Sequence, residues 1–113
     1  MPRTPSFEKL TALDKTVHEP ARLAILSALS ACRSAQFRFL QTLTGLTQGN
    51  LSMHLSKLEE SGLIEKEKSF EGNYPLTSVR LTEIGRKAIA RHWKQLDDLR
   101  LAAQLLRESE GLS

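Results

Sequence analysis

One face of residues 47–62 carries side chains that could contact nucleic acid bases and phosphates. If the segment is helical, the positions opposite its leucines hold short or uncharged residues first and one cation later, namely Gly49, Asn50, Met53, Ser56 and Lys57. Short polar groups permit close approach to base edges, and a lysine can bind a phosphate. A helix face that merely meets water usually carries more charge, and such a solvated face is the competing interpretation.

The same segment contains the residues that would hold this face in place. Leu51, Leu55 and Leu58 recur at steps of four and three, which places them on one stripe of a helix. Thr47 is a suitable N-cap, and Gly62 suits the left-handed conformation that ends many helices. The pattern therefore predicts a capped helix that buries its leucines and exposes the opposite side.

The composition indicates one globular domain with appendages. Of 113 residues, 40% are hydrophobic and 26% are charged, which is close to the globular norm. A formal charge of +3 and a pI near 9.3 favour an anionic partner. Cys32 is the only cysteine, which excludes an intramolecular disulfide and a cysteine-based zinc site. Without a signal-peptide core or a membrane-spanning apolar run, we expect a cytoplasmic protein with no membrane contact.

The beginning of the chain predicts a loose lead followed by two helices. The lead covers residues 1–5, and apolar residues at helical intervals predict an amphipathic helix over residues 6–14. Pro20 suits the first turn of the next helix, because its missing N–H has no partner there. The wide apolar arc of that helix predicts a central core element ending near Cys32.

The apolar period changes within residues 35–46. Alternation over residues 37–39 predicts a short strand, and the spacing of Leu40 and Leu43 predicts a short helix that ends at Gly45. The connection to the next helix is very brief. The two helices therefore form a helix-turn-helix, in which the second can be offered to a major groove.

An alternating pattern after Gly62 predicts a β-hairpin. Its strands cover residues 63–70 and 76–81, and a turn-rich tip covers residues 71–75. A helix-turn-helix followed at once by a hairpin is a winged helix. The predicted fold class is α+β, mostly α, with a two-stranded wing and a winged-helix domain over residues 6–81.

The sequence pattern of the remaining residues, 82–113, predicts one long helix. Thr82 is the N-cap, Glu83 is an anion in the first turn, and no proline or glycine interrupts the chain between Arg86 and Glu110. Its apolar stripe extends beyond what one small domain can bury, so we expect a homodimer. The predicted dimer contacts are Phe7, Leu10, Ile89, Trp93, Leu96, Leu99, Ala103 and Leu106.

Three blocks of this sequence resemble the winged-helix transcriptional regulators of the MarR and ArsR type. They are HEPARLAILSAL at residues 18–29, LTQGNLSMHLSKLEESGLIEKEKSFEG at residues 46–72, and RLTEIGRKAI at residues 80–89. The resemblance implies a homodimer on a pseudo-palindromic operator in double-stranded DNA. It places the helix from Thr47 in the major groove and the hairpin tip at the adjacent minor groove.

The resemblance also implies individual DNA contacts. The sequence departs from the family pattern at Met53, where arginine is common, and at Asn73 and Tyr74, where basic residues are common. Lys66 and Lys68 have a competing interpretation as strand charges paired with neighbouring glutamates. The implied contacts are Thr47, Gln48, Asn50, Met53 and His54 at the bases with Lys57 beside them, Ser52 and Ser56 at phosphates, and Lys66, Lys68, Asn73, Tyr74 and Arg80 on the wing.

Neither a metal site nor a cofactor is predicted, because His18, His54 and His92 are scattered and Cys32 stands alone. His92 is expected to face solvent or the dimer seam. The resemblance allows a small-molecule effector, which no residue identifies.

Two other classes of function compete with DNA binding. A winged helix can serve as a protein-interaction module, and Met53 favours this alternative because methionine suits an adaptable apolar contact. An enzyme has no support, since the sequence contains no nucleophile elbow, phosphate loop or HExxH motif.

Overall fold

The computed structural model describes Phe7 and residues 13–111. The predicted lead and most of the predicted helix over residues 6–14 therefore lie outside the described residues. The described elements are α1 (Pro20–Ser30), β1 (Ala35–Gln36), α2 (Phe37–Thr44), α3 (Gln48–Glu60), β2 (Ile64–Glu71), β3 (Tyr74–Leu81) and α4 (Glu83–Ser109).

Helix α1 contributes three fully buried residues to the core, Ile25, Leu26 and Leu29. Its start is fixed by Glu19, whose carboxylate accepts hydrogen bonds from backbone N–H groups in the first turn, and by Pro20 at the first helical position. The other core residues come from α2, α3, α4, the sheet and the connecting segments. The predicted central helix is confirmed.

The sheet has three antiparallel strands in the order β1-β3-β2. The predicted short strand leading into a short helix is confirmed, but the strand lies before residues 37–39: β1 pairs Ala35 with Val79 and Gln36 with Ser78, and α2 already begins at Phe37. Alternation across three residues misled the prediction because a strand and a helix start are indistinguishable over so short a run.

The wing is longer and its tip is tighter than the sequence predicted. Strands β2 and β3 remain paired as far as Glu71 and Tyr74, so only two residues form the turn. Gly72 has φ +62° there, a conformation that glycine adopts without steric cost. The two-stranded hairpin itself is confirmed, and with the helix-turn-helix it completes the predicted winged helix.

The junction between the wing and α4 is closely packed. The Thr82 hydroxyl donates to the Gly62 carbonyl oxygen at 2.6 Å and accepts from the Gly85 backbone N–H at 3.0 Å. A Cβ atom at Gly85 would overlap the Leu63 carbonyl oxygen and lie 2.9 Å from the Leu63 carbonyl carbon. The absence of a side chain at Gly85 therefore lets α4 start directly against the wing.

Helix α4 has 27 residues, and at 1.5 Å per residue it is roughly 40 Å long. The first half of α4 contributes Ala88 and Ile89 to the hydrophobic core. Within the part of the chain that the structure describes, neither α4 nor any shorter helix has the apolar length of a transmembrane span.

Candidate nucleic-acid interface

Helix α3 is anchored as its sequence pattern predicted. Leu51, Leu55 and Leu58 are all buried. The Thr47 hydroxyl accepts a hydrogen bond from the Asn50 backbone N–H at 3.1 Å, and Gly62 has φ +77° just beyond the helix. Both ends and the inward face are confirmed.

The opposite side of α3 forms an exposed surface that we call the outer face. Met53 is its one large apolar side chain and is 45% exposed. No other described segment covers this surface, which leaves its polar groups free to meet a partner. The outer face consists of Gln48, Gly49, Asn50, Ser52, Met53, Ser56 and Lys57.

His54 does not belong to the outer face. Its Nδ1 lies 3.3 Å from Arg22 Nη1 and 3.6 Å from a carboxylate oxygen of Glu19, so the ring is directed towards the start of α1. Burial alone would raise the pKa of the Glu19 carboxyl, but backbone hydrogen bonds from Arg22 and Ala21, aided by His54, hold it below its ordinary value. His54 therefore contributes to the contact between α1 and α3.

The strand register divides the wing into two faces of opposite character. Directly paired residues project to the same side of a hairpin, and successive residues alternate. The inner wing face, which continues from the core, carries Lys66, Lys68 and Phe70 opposite Val79, Thr77 and Pro75. The outer wing face carries Glu65, Glu67, Ser69 and Glu71 opposite Arg80, Ser78, Leu76 and Tyr74.

The predicted wing cations differ in position and in ion pairing: Lys66 and Lys68 lie on the inner wing face, and Arg80 lies on the outer wing face. Lys66 lies 3.3 Å from a carboxylate oxygen of Glu59 on α3, so its partner is neither of the neighbouring glutamates. Arg80 binds Glu65 at 2.6 Å, and this hydrogen bond holds the pKa of the guanidinium above its ordinary value. Lys68 is exposed and forms no ion pair with a described residue. It is the wing cation that a phosphate could engage without breaking an existing pair.

Sequence reasoning missed two polar residues beside α3. Arg38 and Gln41 on α2 line a groove of about 390 Å³ together with Gln48 and Ser52 of α3. The sequence analysis missed them because it predicted a strand over residues 37–39, which includes Arg38. In the structure Arg38 lies instead on the exposed side of helix α2.

The predicted dimer residues fall into different environments. Ile89 is only 3% exposed and belongs to the chain's own core, and Leu10 lies outside the described residues. Half-buried positions are Phe7, Leu96, Leu99 and Leu106, and exposed positions are Trp93 and Ala103. The prediction missed Leu101 and Leu105, which are 49% and 47% exposed.

His92 is also not where the sequence placed it. It is buried, and its Nε2 lies 3.0 Å from Nδ1 of His18. Within residues 13–111 and Phe7, no group of three or more metal-ligating side chains is assembled.

The comparisons with known proteins identify the family. Residues 21–99 match the family model described as a winged helix DNA-binding domain, and the chain belongs to this family. The HTH-type transcriptional regulator YgaV of Escherichia coli is 35% identical over 63 residues, covering 56% of this chain and 64% of that protein.

Solved structures of regulators share the fold. A transcriptional regulator homologue from Pyrococcus horikoshii superposes with a TM-score of 0.75 at 29% identity, covering 82% of this chain and 91% of that one. A MarR-family regulator from Silicibacter pomeroyi gives a TM-score of 0.64 at 28% identity, covering 84% of this chain and 63% of that one. The predicted resemblance to MarR-type regulators is confirmed, and these similar proteins are described as transcriptional regulators.

Proposed function

We propose that this protein is a sequence-specific transcriptional regulator that binds double-stranded DNA as a homodimer. The observation that carries the proposal is the outer face of α3, which combines exposure, small polar groups and one terminal cation on a helix anchored by three buried leucines. Such a helix fits the major groove, where each base pair presents a distinct set of donors and acceptors.

Residues along α3 would serve different purposes on DNA. Asn50 has an amide that can bind an adenine edge through two hydrogen bonds, whereas Lys57 binds phosphate without regard to sequence. Gln48 offers a second amide near the start of the helix. Thr47 uses its hydroxyl to cap α3, so its contribution to DNA binding is to hold the first turn in place.

The inner wing face would approach the DNA backbone or minor groove. Lys68 supplies a cation that has no ion-pair partner among the described residues, and Phe70 is one of the exposed aromatic residues near the tip. The outer wing face is unsuited to this contact because three glutamates would repel phosphates. In this arrangement Tyr74 and Arg80 face away from DNA, and Asn73 at the turn can reach either side.

Two-fold symmetry is part of the proposed function. Two copies joined through α4 would present two α3 helices to a pseudo-palindromic operator. A regulator of this kind acts where chromosomal DNA is found, which in a bacterium or archaeon is the cytoplasm. An effector could act by changing the spacing of the two α3 helices, and none of the described residues identifies its chemistry.

The direct test compares two substitutions on a duplex selected from a random-sequence pool. Asn50→Ala should weaken binding to the selected duplex by about 1–3 kcal/mol and leave random DNA nearly unaffected. Lys57→Ala should weaken binding to both. Lys87→Ala removes an exposed lysine from α4 and is the matched control. Equal effects of Asn50→Ala on selected and random duplexes would contradict the proposed base contact.

Met53 favours one alternative, a protein-interaction module that uses the outer face. Ionic strength separates the two functions. DNA binding must weaken steeply with salt in proportion to the phosphates neutralised, whereas a contact centred on a methionine should respond little.

A further inference from the structure

The groove between α2, α3 and the distal part of β3 is lined mainly by polar residues. Arg38 and Gln41 lie on α2, Gln48 and Ser52 lie on α3, and Thr77 lies on the inner wing face. Gln48 and Ser52 also belong to the outer face of α3. The groove is therefore continuous with the surface that would enter the major groove.

The positive charge of the groove favours an anionic ligand. Arg38 is exposed and is the only charged residue in the lining, which contains no carboxylate. It forms no ion pair with any residue that the structure describes. The amides and hydroxyls around it provide further hydrogen-bond donors. An anion could thus bind Arg38 without breaking an existing contact.

We propose that this groove holds the sugar-phosphate backbone beside the base pairs that α3 reads, with Arg38 bound to a phosphate. The inference rests on the proposed function. A helix lying in the major groove has the phosphates of both strands along its sides, so a cationic groove flanking the start of α3 lies where one strand must pass. The planar guanidinium of Arg38 can engage two phosphate oxygens at once.

The experiment measures binding of the full chain to random-sequence duplex DNA over a range of salt concentrations. Arg38→Gln should lower affinity roughly tenfold at low salt and reduce the slope of log affinity against log salt by about 0.9, corresponding to one phosphate contact. Arg38→Lys should retain most of the slope because the charge remains. Arg33→Gln is the matched control, since Arg33 is an exposed arginine beside the outer wing face.

The outcomes separate this inference from the proposed function. Arg38→Gln with the wild-type affinity and salt slope would overturn the backbone contact, even if Asn50→Ala still lost discrimination between selected and random DNA. A wild-type chain that fails to bind duplex DNA at low salt would overturn the proposed function itself. Equal losses of DNA affinity from Arg38→Gln and Arg33→Gln would show that the effect comes from net charge alone. That result would also overturn the phosphate contact assigned to Arg38. Thermal unfolding of each variant verifies that the fold is retained.

Discussion

The imidazole Nδ1 of His18 lies 3.0 Å from Nε2 of His92, although 74 positions separate the two residues in the chain. His18 precedes α1, whereas His92 lies in the middle of α4 and is 1% exposed. One ring must donate and the other accept in this contact. Burial and the proximity of His18 lower the pKa of His92 below its ordinary value of 6.5, and Asp14 opposes this effect. The pair therefore favours a neutral His92.

This contact makes stability depend on pH. A depressed pKa in the folded state means that the unfolded chain binds the proton more readily. The contribution of His92 to the free energy of unfolding is thus complete above about pH 6.5 and is lost as the pH falls through the lower pKa of the folded state. Urea unfolding measured between neutral and mildly acidic pH should show this decline.

The matched control for the pH effect is His92→Gln, which keeps a hydrogen-bonding side chain but cannot titrate. Its free energy of unfolding should change less over the same pH interval, because every other ionisable side chain is common to the two proteins. Parallel pH profiles for the wild type and the variant would show that His92 is not responsible.

Gly85→Ala should destabilise the fold. The added Cβ would overlap the Leu63 carbonyl oxygen, which also accepts the Thr82 backbone N–H at 3.0 Å. Overpacking of this kind costs about 1–3 kcal/mol, measurable by chemical unfolding. Gly49→Ala is the control because a Cβ atom there would meet no neighbouring group within 4 Å, and it should stabilise α3 by up to about 1 kcal/mol. Equal stabilities for the two variants would contradict the close packing at Gly85.

Two threonine caps should differ in their contributions to stability. Thr47→Ala removes an exposed N-cap, which costs about 1 kcal/mol. Thr82→Ala removes an N-cap and also the hydroxyl that donates to the Gly62 carbonyl oxygen. Its cost should be larger by about 1 kcal/mol. Thermal unfolding of the two variants side by side checks the order, and a larger loss for Thr47→Ala would reverse the interpretation.

The features predicted correctly from the sequence depend on neighbours within one turn of the chain. Thr47, Gly62 and Thr82 have cap roles determined by the residues three or four positions away, and the leucine stripe of α3 repeats at helical spacing. These local rules were sufficient for α1 to α4, the hairpin and hence the winged helix.

The features that the sequence did not reveal depend on contacts between distant segments. Lys66 binds Glu59 across the boundary between α3 and β2, although its nearest acidic neighbours are on its own strand. His18 and His92 meet only because α4 packs against the segment before α1. Arg38 joins Gln48 in one groove only when α2 starts at Phe37. Periodicity carries no information about which residues meet when separate elements pack together.

Helix α4 provides the last test, which concerns the proposed dimer. Its outer half carries half-buried Leu96, Leu99 and Leu106, and Leu101 and Leu105 are exposed on the other side. Burial of both apolar sides would stabilise such a helix. Burying a leucine contributes about 1.5–3 kcal/mol, so Leu101→Glu and Leu105→Glu should each weaken dimerisation at least about tenfold.

Light scattering coupled to size-exclusion chromatography measures this directly. The wild-type chain at micromolar concentration should have twice the mass of a 12.7 kDa monomer, and the two variants should shift towards the monomer. Ile84→Glu changes an apolar residue in the first turn of α4 that is also exposed, and it should leave the mass unchanged because it lies far from the outer half. A monomeric wild type would contradict the homodimer. A dimer resistant to both leucine substitutions would instead place the second copy on the side of α4 that carries Leu96, Leu99 and Leu106.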